Sequence, residues 1–335
     1  MITKRYFLVE YRFVIWLTII GKFGIIVLKM NYRENTMLNF RKITIEDKEL
    51  IKSFYSRKNY YLCAYSFTTT FMWQSNYQRE IAVSDGILYS KYTVDNGNVY
   101  FCPPMGEGDY SKAIQKLAEY ASANGQPLNF GSIPKDYIEK IEQSMPGVYE
   151  FVYDRDSADY IYTSESLMYL KGKKLHGKRN HINKFLNTYS DWSYEELTDA
   201  NTKEFFDFHV KWCENVGSDS FLGETCALAV ALKNREALDI KGALLRVNRK
   251  IAAITLGSES FEDTFIVHIE KADSDIDGAY QMINQQFAQH NFGKYKYIDR
   301  EEDMGIEGLR KAKLSYHPEF LSEIYYTVLK SELIK

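Results

Sequence analysis

From Leu38 onward two hydrophobic rhythms alternate, a period of two that marks strands and a period near 3.6 that marks helices. The pattern predicts a short strand at Asn39–Ile43, then a helix starting at Thr44, with Asp47 three residues on, and running to Tyr55. A second helix is predicted at Ser66–Gln74. A meander follows at Arg79–Ser84, Ile87–Thr93 and Asn98–Cys102, punctuated by Asp85–Gly86 and Asp95–Gly97 and ended by Pro103 and Pro104. A helix at Ser111–Ala123, a strand at Leu128–Gly131, a helix at Lys135–Ser144 and a strand at Tyr149–Tyr153 complete the first half. The second half repeats the order, with a strand at Trp192–Leu197 and helices at Asn201–Asn215 and Glu224–Leu238. A meander over Ala243–Asn248, Lys250–Ser258 and Thr264–Lys271 comes next, then a helix at Asp277–Phe292, a strand at Tyr295–Asp299, a helix at Ile306–Leu314 and a strand at Leu321–Leu329. Each half reads β-α-α-β-β-β-α-β-α-β, a repeat of order without repeated residues.

A mixed sheet built from one meander and crossover helices has few right-handed ways to close. The order matches an α/β (α+β mixed sheet) fold, that of the GCN5-related N-acetyltransferases, in two tandem copies; two unrelated α+β domains are the plainer alternative. The expected division is an N-terminal extension at 1–36, a first domain at 37–163, a basic linker and helix at 164–190 and a second domain at 191–335, with the linker near Asp154–Leu175. Phe13–Leu28 is a sixteen-residue apolar run with Lys22 inside it. That is short for a bilayer span and carries a charge near its centre. It reads as an upstream extension before a start near Met37 or Met30, with a poor membrane anchor as the alternative.

Composition narrows the classes. With 45% hydrophobic and 26% charged residues and a net charge of -3, the 335-residue chain suits neither disorder nor bulk non-specific nucleic-acid binding, and DNA is not an expected partner. The aromatic content of 15%, with 27 Tyr and 20 Phe, favours strand-rich, half-buried surface. Cys63, Cys102, Cys213 and Cys226 are scattered, without ligand spacing, so no metal site and no disulfide framework are expected, and the compartment reads as cytoplasmic.

Near-neutrality conceals two charged runs. Lys171–Lys184 (KGKKLHGKRNHINK) contains no acid and offers Lys178, Arg179, Asn180, His181 and Lys184 to a phosphate backbone or nucleotide; its plainer reading is a solvated basic helix. Asp299–Pro318 (DREEDMGIEGLRKAKLSYHP) places Asp299, Arg300, Glu301, Glu302 and Asp303 after a predicted strand, then Arg310, Lys311 and Lys313 on a short helix, then Tyr316. Carboxylates at a strand end beside cations can bind an amine and accept its proton, although acids before bases also complement a helix dipole. A third run, Glu270–Gly278, places Asp273, Asp275 and Asp277 where an acetyltransferase of this fold carries its glycine-rich pyrophosphate loop. Three carboxylates repel a pyrophosphate, so no coenzyme A cradle is expected there. The same aspartates nearly match a calcium loop but lack its final Glu, and helix N-capping is the preferred role. His209, His268 and His290 read as packed or capping residues.

The runs YLCAYSFTTTFMWQ (Tyr61–Gln74), KLHGKRNHINKF (Lys174–Phe185) and Asp299–Pro318 resemble a bacterial family grouped with the C-terminal domain of phosphatidylglycerol lysyltransferase. The resemblance covers about Leu38 to Lys330. It implies a tandem acyltransferase fold similar to the Fem-type aminoacyltransferases, using aminoacyl-tRNA as donor substrate and no bound cofactor. By position it also implies that Lys178, Arg179, Asn180 and Lys184 face the tRNA acceptor end, and that Asp299, Arg300, Glu301, Asp303, Arg310, Lys311 and Lys313 line a pocket between the halves. The lipid enzymes add a large membrane domain, so a phospholipid acceptor is not expected. The resulting expectation is an aminoacyl or acyl transferase with Asp299, Glu301 or Asp303 as orienting or accepting carboxylate. An acyl-coenzyme A donor, or a binding module that kept the fold without the reaction, are the alternatives.

Overall fold

The computed structural model describes residues 38–94, 96–217 and 221–330, together with three backbone strands nearer the N-terminus, β1 (Ile2–Val9), β2 (Arg12–Gly21) and β3 (Gly24–Tyr32), which form a separate antiparallel sheet. The side chains of 1–37 lie outside the described residues, and with them the question of an anchor. Among the described residues no helix is long and apolar enough to cross a membrane.

The first half contains β4 (Arg41–Lys42), α1 (Lys48–Tyr55), α2 (Phe67–Met72), β5 (Glu80–Ser84), β6 (Ile87–Thr93), β7 (Val99–Phe101), β8 (Met105–Gly106), α3 (Tyr110–Ala123), β9 (Ile133–Pro134), α4 (Tyr137–Ser144) and β10 (Tyr149–Tyr153). The second contains β11 (Asp159–Thr163), α5 (Ser164–Tyr169), α6 (His176–Thr188), β12 (Trp192–Glu196), α7 (Thr202–Val216), α8 (Phe221–Lys233), β13 (Lys241–Val247), β14 (Lys250–Phe261), β15 (Thr264–Ala272), α9 (Ala279–Asn291), β16 (Tyr297–Asp299), α10 (Glu307–Leu314), β17 (Phe320–Ser322) and β18 (Ile324–Leu329). Local chemistry sets several of these starts: the Ser66 hydroxyl accepts from Thr69 N–H to open α2, and the Asp109 carboxylate accepts from Lys112 N–H to open α3.

The two halves exchange strands. The second sheet runs β12-β13-β14-β15-β16-β11-β17, so β11, which directly follows the first half, is inserted between two strands of the second. In return β18 pairs with β10 and β9, and the Thr327 hydroxyl accepts from Phe130 N–H at 2.7 Å. The segment around Phe130, read from sequence as a full strand, makes one parallel bridge to Phe101. The pairing crosses the boundary drawn at residue 163. The stretch read as a linker near Asp154–Leu175 holds a strand buried from Asp159 to Tyr162 and then α5. The final strand read as Leu321–Leu329 is two strands serving different sheets.

Packing follows from this exchange. Along β13 and β14, Leu244, Ile254 and Leu256 join a core that also holds Phe54, Phe71 and Leu117 of the first half, while Ala243, Leu245 and Ala253 face α9 and α6 residues such as Phe287 and Phe185. The second sheet is therefore covered on both faces. Many tyrosines are fully buried rather than half-exposed: Tyr65 and Tyr149 donate to the carbonyls of Ser132 and Leu128 at 2.5 Å. Ending the chain at Ser322 removes the strand shared by β10 and Phe130. Hydrogen exchange at Phe130 and Tyr149–Tyr153 is expected to rise to nearly unfolded rates; retained protection there would show that the first half closes its sheet without β18.

Candidate functional site

β15 and β16 form a parallel pair in the second sheet, with register from Thr264↔Tyr297 to Ile266↔Asp299, after which they part. Crevices beyond the carboxyl ends of such strands are where ligands collect. A bulge sharpens the opening: Leu256 pairs with Ile269 and Gly257 with Val267, leaving His268 as the extra residue. Its imidazole bridges the gap, with Nδ1 2.8 Å from Glu301 Oε1 and Nε2 2.8 Å from Ser258 Oγ. Burial pulls His268 down to about 3, so the ring is neutral. A neutral ring donates from one nitrogen and accepts at the other, so Glu301 and Ser258 take opposite roles on it.

Carboxylates crowd the same strand end. Asp159 enters from the exchanged strand β11, Asp299 ends β16, and Glu301 and Glu302 follow, with Cys63 contributed by the first half. Asp159 Oδ2 accepts from Cys63 N–H at 2.7 Å and Asp299 Oδ1 from Glu301 N–H at 2.7 Å, but Asp159 Oδ1 and Asp299 Oδ2 are buried without a partner. Burial first, and then neighbouring acids, push Asp159, Asp299 and Glu301 well above the usual carboxyl range. Burial likewise raises the Cys63 thiol, which lies 3.5 Å from Glu302 Oε2. Ligand atoms of Cys63, Asp159 and Glu302 lie within 4.8 Å of one another, close enough to hold a metal ion. The donor set equally suits an ammonium, because buried acceptors lacking donors call for a cation with N–H groups.

The other members of the run organise the loop. Lys313 is buried, and its ammonium donates to the carbonyls of Arg300, Glu301 and Glu302, so it fixes the backbone instead of reaching into the crevice. Asp303 accepts from Tyr160 OH (2.5 Å), Arg155 Nη1 (3.0 Å), Arg310 Nε (2.9 Å) and Nη2 (2.7 Å), and Gly305 N–H (3.0 Å). Burial alone would raise its carboxyl, but these donors, Arg310 foremost, hold it well below the ordinary value. Asp303 is thus a saturated anchor beside the cluster. Lys311 lies exposed on α10.

The basic run divides. Lys178 reaches the second charged cluster, its Nζ 4.0 Å from the Tyr316 ring centre, with Arg300 over the same ring at 4.8 Å. Arg179 is turned away and donates to the carbonyls of Leu170 and Gly172, closing the turn into α6. Asn180 pairs with His176, while Lys184 and His181 pair with Asp277. Asp277 therefore does not cap α9, whose N-cap is Gly278 without a side-chain cap. A Cβ at Gly278 would lie 2.6 Å from the His181 carbonyl, so α6 lies directly over the start of α9, where the fold's pyrophosphate loop would open.

Sequence reasoning missed Asp159, Ser258 and His268. Asp159 fell in the presumed linker, and His268 was set aside as a lone strand histidine; one available signal was Cys63, inside the quoted Tyr61–Gln74 run. His209, also set aside, is packed against Cys213 and Thr225. The four cysteines are free.

The site is thus a buried carboxylate cluster where parallel strands of a mixed α/β fold part. Residues 56–328 match the family described as phosphatidylglycerol lysyltransferase, C-terminal, and the chain belongs to that family. It is similar to a conserved protein of unknown function from Bacteroides thetaiotaomicron, with 40% identity and a TM-score of 0.83 over 88% of this chain and 100% of that one. L-PGS from Bacillus licheniformis shares the fold at 15% identity and a TM-score of 0.57, over 85% of this chain and 92% of that one. An uncharacterised protein of Mycoplasmoides gallisepticum is 27% identical over 171 residues, 50% of this chain and 55% of that protein, so the match spans about half the length of this curated relative.

Proposed function

We propose that the chain is an aminoacyltransferase that moves an aminoacyl group from charged tRNA to an amine or hydroxyl acceptor. The observation that carries this reading is the pair of unpartnered buried oxygens, Asp159 Oδ1 and Asp299 Oδ2, where the second sheet meets Cys63 of the first half. An aminoacyl ester brings an ammonium next to its carbonyl, and seating that ammonium on the two aspartates supplies the donors they lack. The acceptor nitrogen or oxygen then attacks the carbonyl beside Glu301, and its proton passes to a carboxylate of the cluster. The bond to the ribose oxygen breaks, and that oxygen leaves with the proton. Catalysis is positioning and electrostatics, without an acyl-enzyme. The covering of α9 by α6 disfavours a coenzyme A donor held in the usual way.

The test is thermal shift and transfer with mixed aminoacyl-tRNAs, uncharged tRNA and acetyl-coenzyme A. Charged tRNA is expected to raise Tm most. Lys173→Ala with Lys174→Ala, both exposed, should weaken binding and flatten its salt dependence. Absence of binding at low salt, or transfer from acetyl-coenzyme A alone, sinks the reading.

A further inference from the structure

We infer that Lys178, Arg300 and Tyr316 form an oxyanion subsite that takes the terminal phosphodiester of the donor nucleic acid, replacing the pyrophosphate cradle that α6 closes. The anion site stands on geometry; the identity of its ligand rests on the proposed function.

Charge and hydrogen bonding are both unbalanced here. The Arg300 side chain is only 11% exposed; its Nη2 donates to Glu270 Oε1 at 2.8 Å, and its Nη1 is buried without an acceptor. Lys178 lies against the Tyr316 ring, and among the described residues no carboxylate pairs with it. Burial, then the nearby Arg300, lowers it to about 8, with Glu270 opposing. Among the described residues Glu270 is the single acid that contacts Arg300, and its other oxygen is taken by Asn284 Nδ2 at 2.9 Å. Two cations thus stand near one carboxylate that only Arg300 contacts; Lys178 rests on an aromatic face, and Arg300 Nη1 has no acceptor. An incoming oxyanion would satisfy Arg300 Nη1 and the Lys178 ammonium together, which is the pairing of planar donor and point charge that phosphate recognition uses.

Position suggests which anion. Arg300 stands between Asp299 and Glu301 in the chain, yet its guanidinium meets Tyr162, Tyr316 and Glu270, while its two neighbours meet Cys63, Asp159 and His268. The anion subsite and the carboxylate cluster therefore flank one strand end. A terminal nucleotide fits both, because its ribose carries the ester on one side and the phosphate on the other. Exposed Lys173 and Lys174, a few residues before Lys178 in the chain, add positive charge that suits a polyanion better than a lone headgroup.

The experiment titrates adenosine 5′-monophosphate, inorganic phosphate and glycerol 3-phosphate into the full chain, read by calorimetry and by amide shifts. Adenosine monophosphate is expected to bind most tightly, with at least about tenfold weakening in Lys178→Gln and in Arg300→Lys. Asp277→Asn, at the closed cradle, should bind like the parent. Unchanged affinity in Lys178→Gln overturns the subsite, and so does a gain of affinity confined to Asp277→Asn. Equal binding of glycerol 3-phosphate overturns the assignment to a nucleotide. Should Arg300→Lys misfold, Lys178→Gln decides alone, since its side chain is half-buried and, among the described residues, meets the Tyr316 ring without a hydrogen bond or ion pair. Binding without any transfer from charged tRNA would sink the transferase reading and leave the subsite; transfer with unchanged KM in Lys178→Gln would sink the subsite and leave the transferase.

Discussion

Replacing Asp303 by Ala is expected to lower stability by about 3–5 kcal/mol, the range for removing one partner of a buried ion pair. The carboxylate is fully buried and takes donors from the loop before β11, from β11 itself, from its own loop and from α10. Its loss removes the buried acceptor shared by the Tyr160 hydroxyl and two guanidinium groups, leaving Arg155 only Tyr160 and Arg310 only the exposed Asp156. It should also loosen the Glu301–Glu302 loop on which the crevice depends. Arg310→Ala, whose side chain also pairs with exposed Asp156, should cost far less than Asp303→Ala, because Arg155 and Tyr160 still hold the carboxylate. The pH dependence has a definite sign. Asp303 is depressed in the folded state, so its contribution is complete above the unfolded carboxyl value near about 4 and declines as pH falls below it. The gap between parent and Asp303→Ala is therefore wide at neutral pH and narrows in acid. Urea melts at both pH values measure it; coincident midpoints at neutral pH would show that the lock contributes nothing.

The meander strands and most helices were readable from sequence because their periodicities are local: Ile87–Thr93 and the region of α3 emerge within a residue or two of their predicted bounds. The exchange was not readable. Asp159–Thr163 carries strand-forming Tyr-Ile-Tyr-Thr, but a strand buried on both faces lacks alternation, and nothing in five residues names the sheet that receives them. Once β11 was read as linker, Asp159 was lost to the site. The acids after β16 were legible as a cluster, but their division of labour was not. Asp303 differs from Asp299 by its donors, which come from residues 148 and 143 positions away as well as from neighbours. His268 is placed by a bulge, a register event with no signature in composition. The basic run was legible as charge, yet only Lys178 among its named cations reaches the second cluster; Arg179 and Lys184 found partners of their own.

Asp299→Asn and Asp159→Asn are expected to slow transfer by orders of magnitude while making the protein more stable. Each aspartate uses one oxygen to accept a backbone N–H, from Glu301 and Cys63 respectively, and an Asn carbonyl keeps that bond. The other oxygen has no donor, and the Asn amide placed there offers two to the neighbouring carboxylates. Both carboxyls are raised in the folded state, by burial first and then by neighbouring acids, so each costs stability as pH rises above its unfolded value near about 4. Removing that cost should add about 1–2 kcal/mol at neutral pH, a gain that vanishes in acid, where both forms are neutral. Transfer should fall by about 10²–10⁴, the range for losing a positioned acid or base. Melting curves at neutral and acid pH, set beside single-turnover transfer, separate the outcomes. A loss of stability would make these carboxylates structural members of the fold. Full activity in either variant would remove the ammonium seat on which the transferase reading depends. A gain in stability joined to a loss of transfer would mean that the chain retains a strained acid cluster because its substrate, and nothing within the protein, completes it.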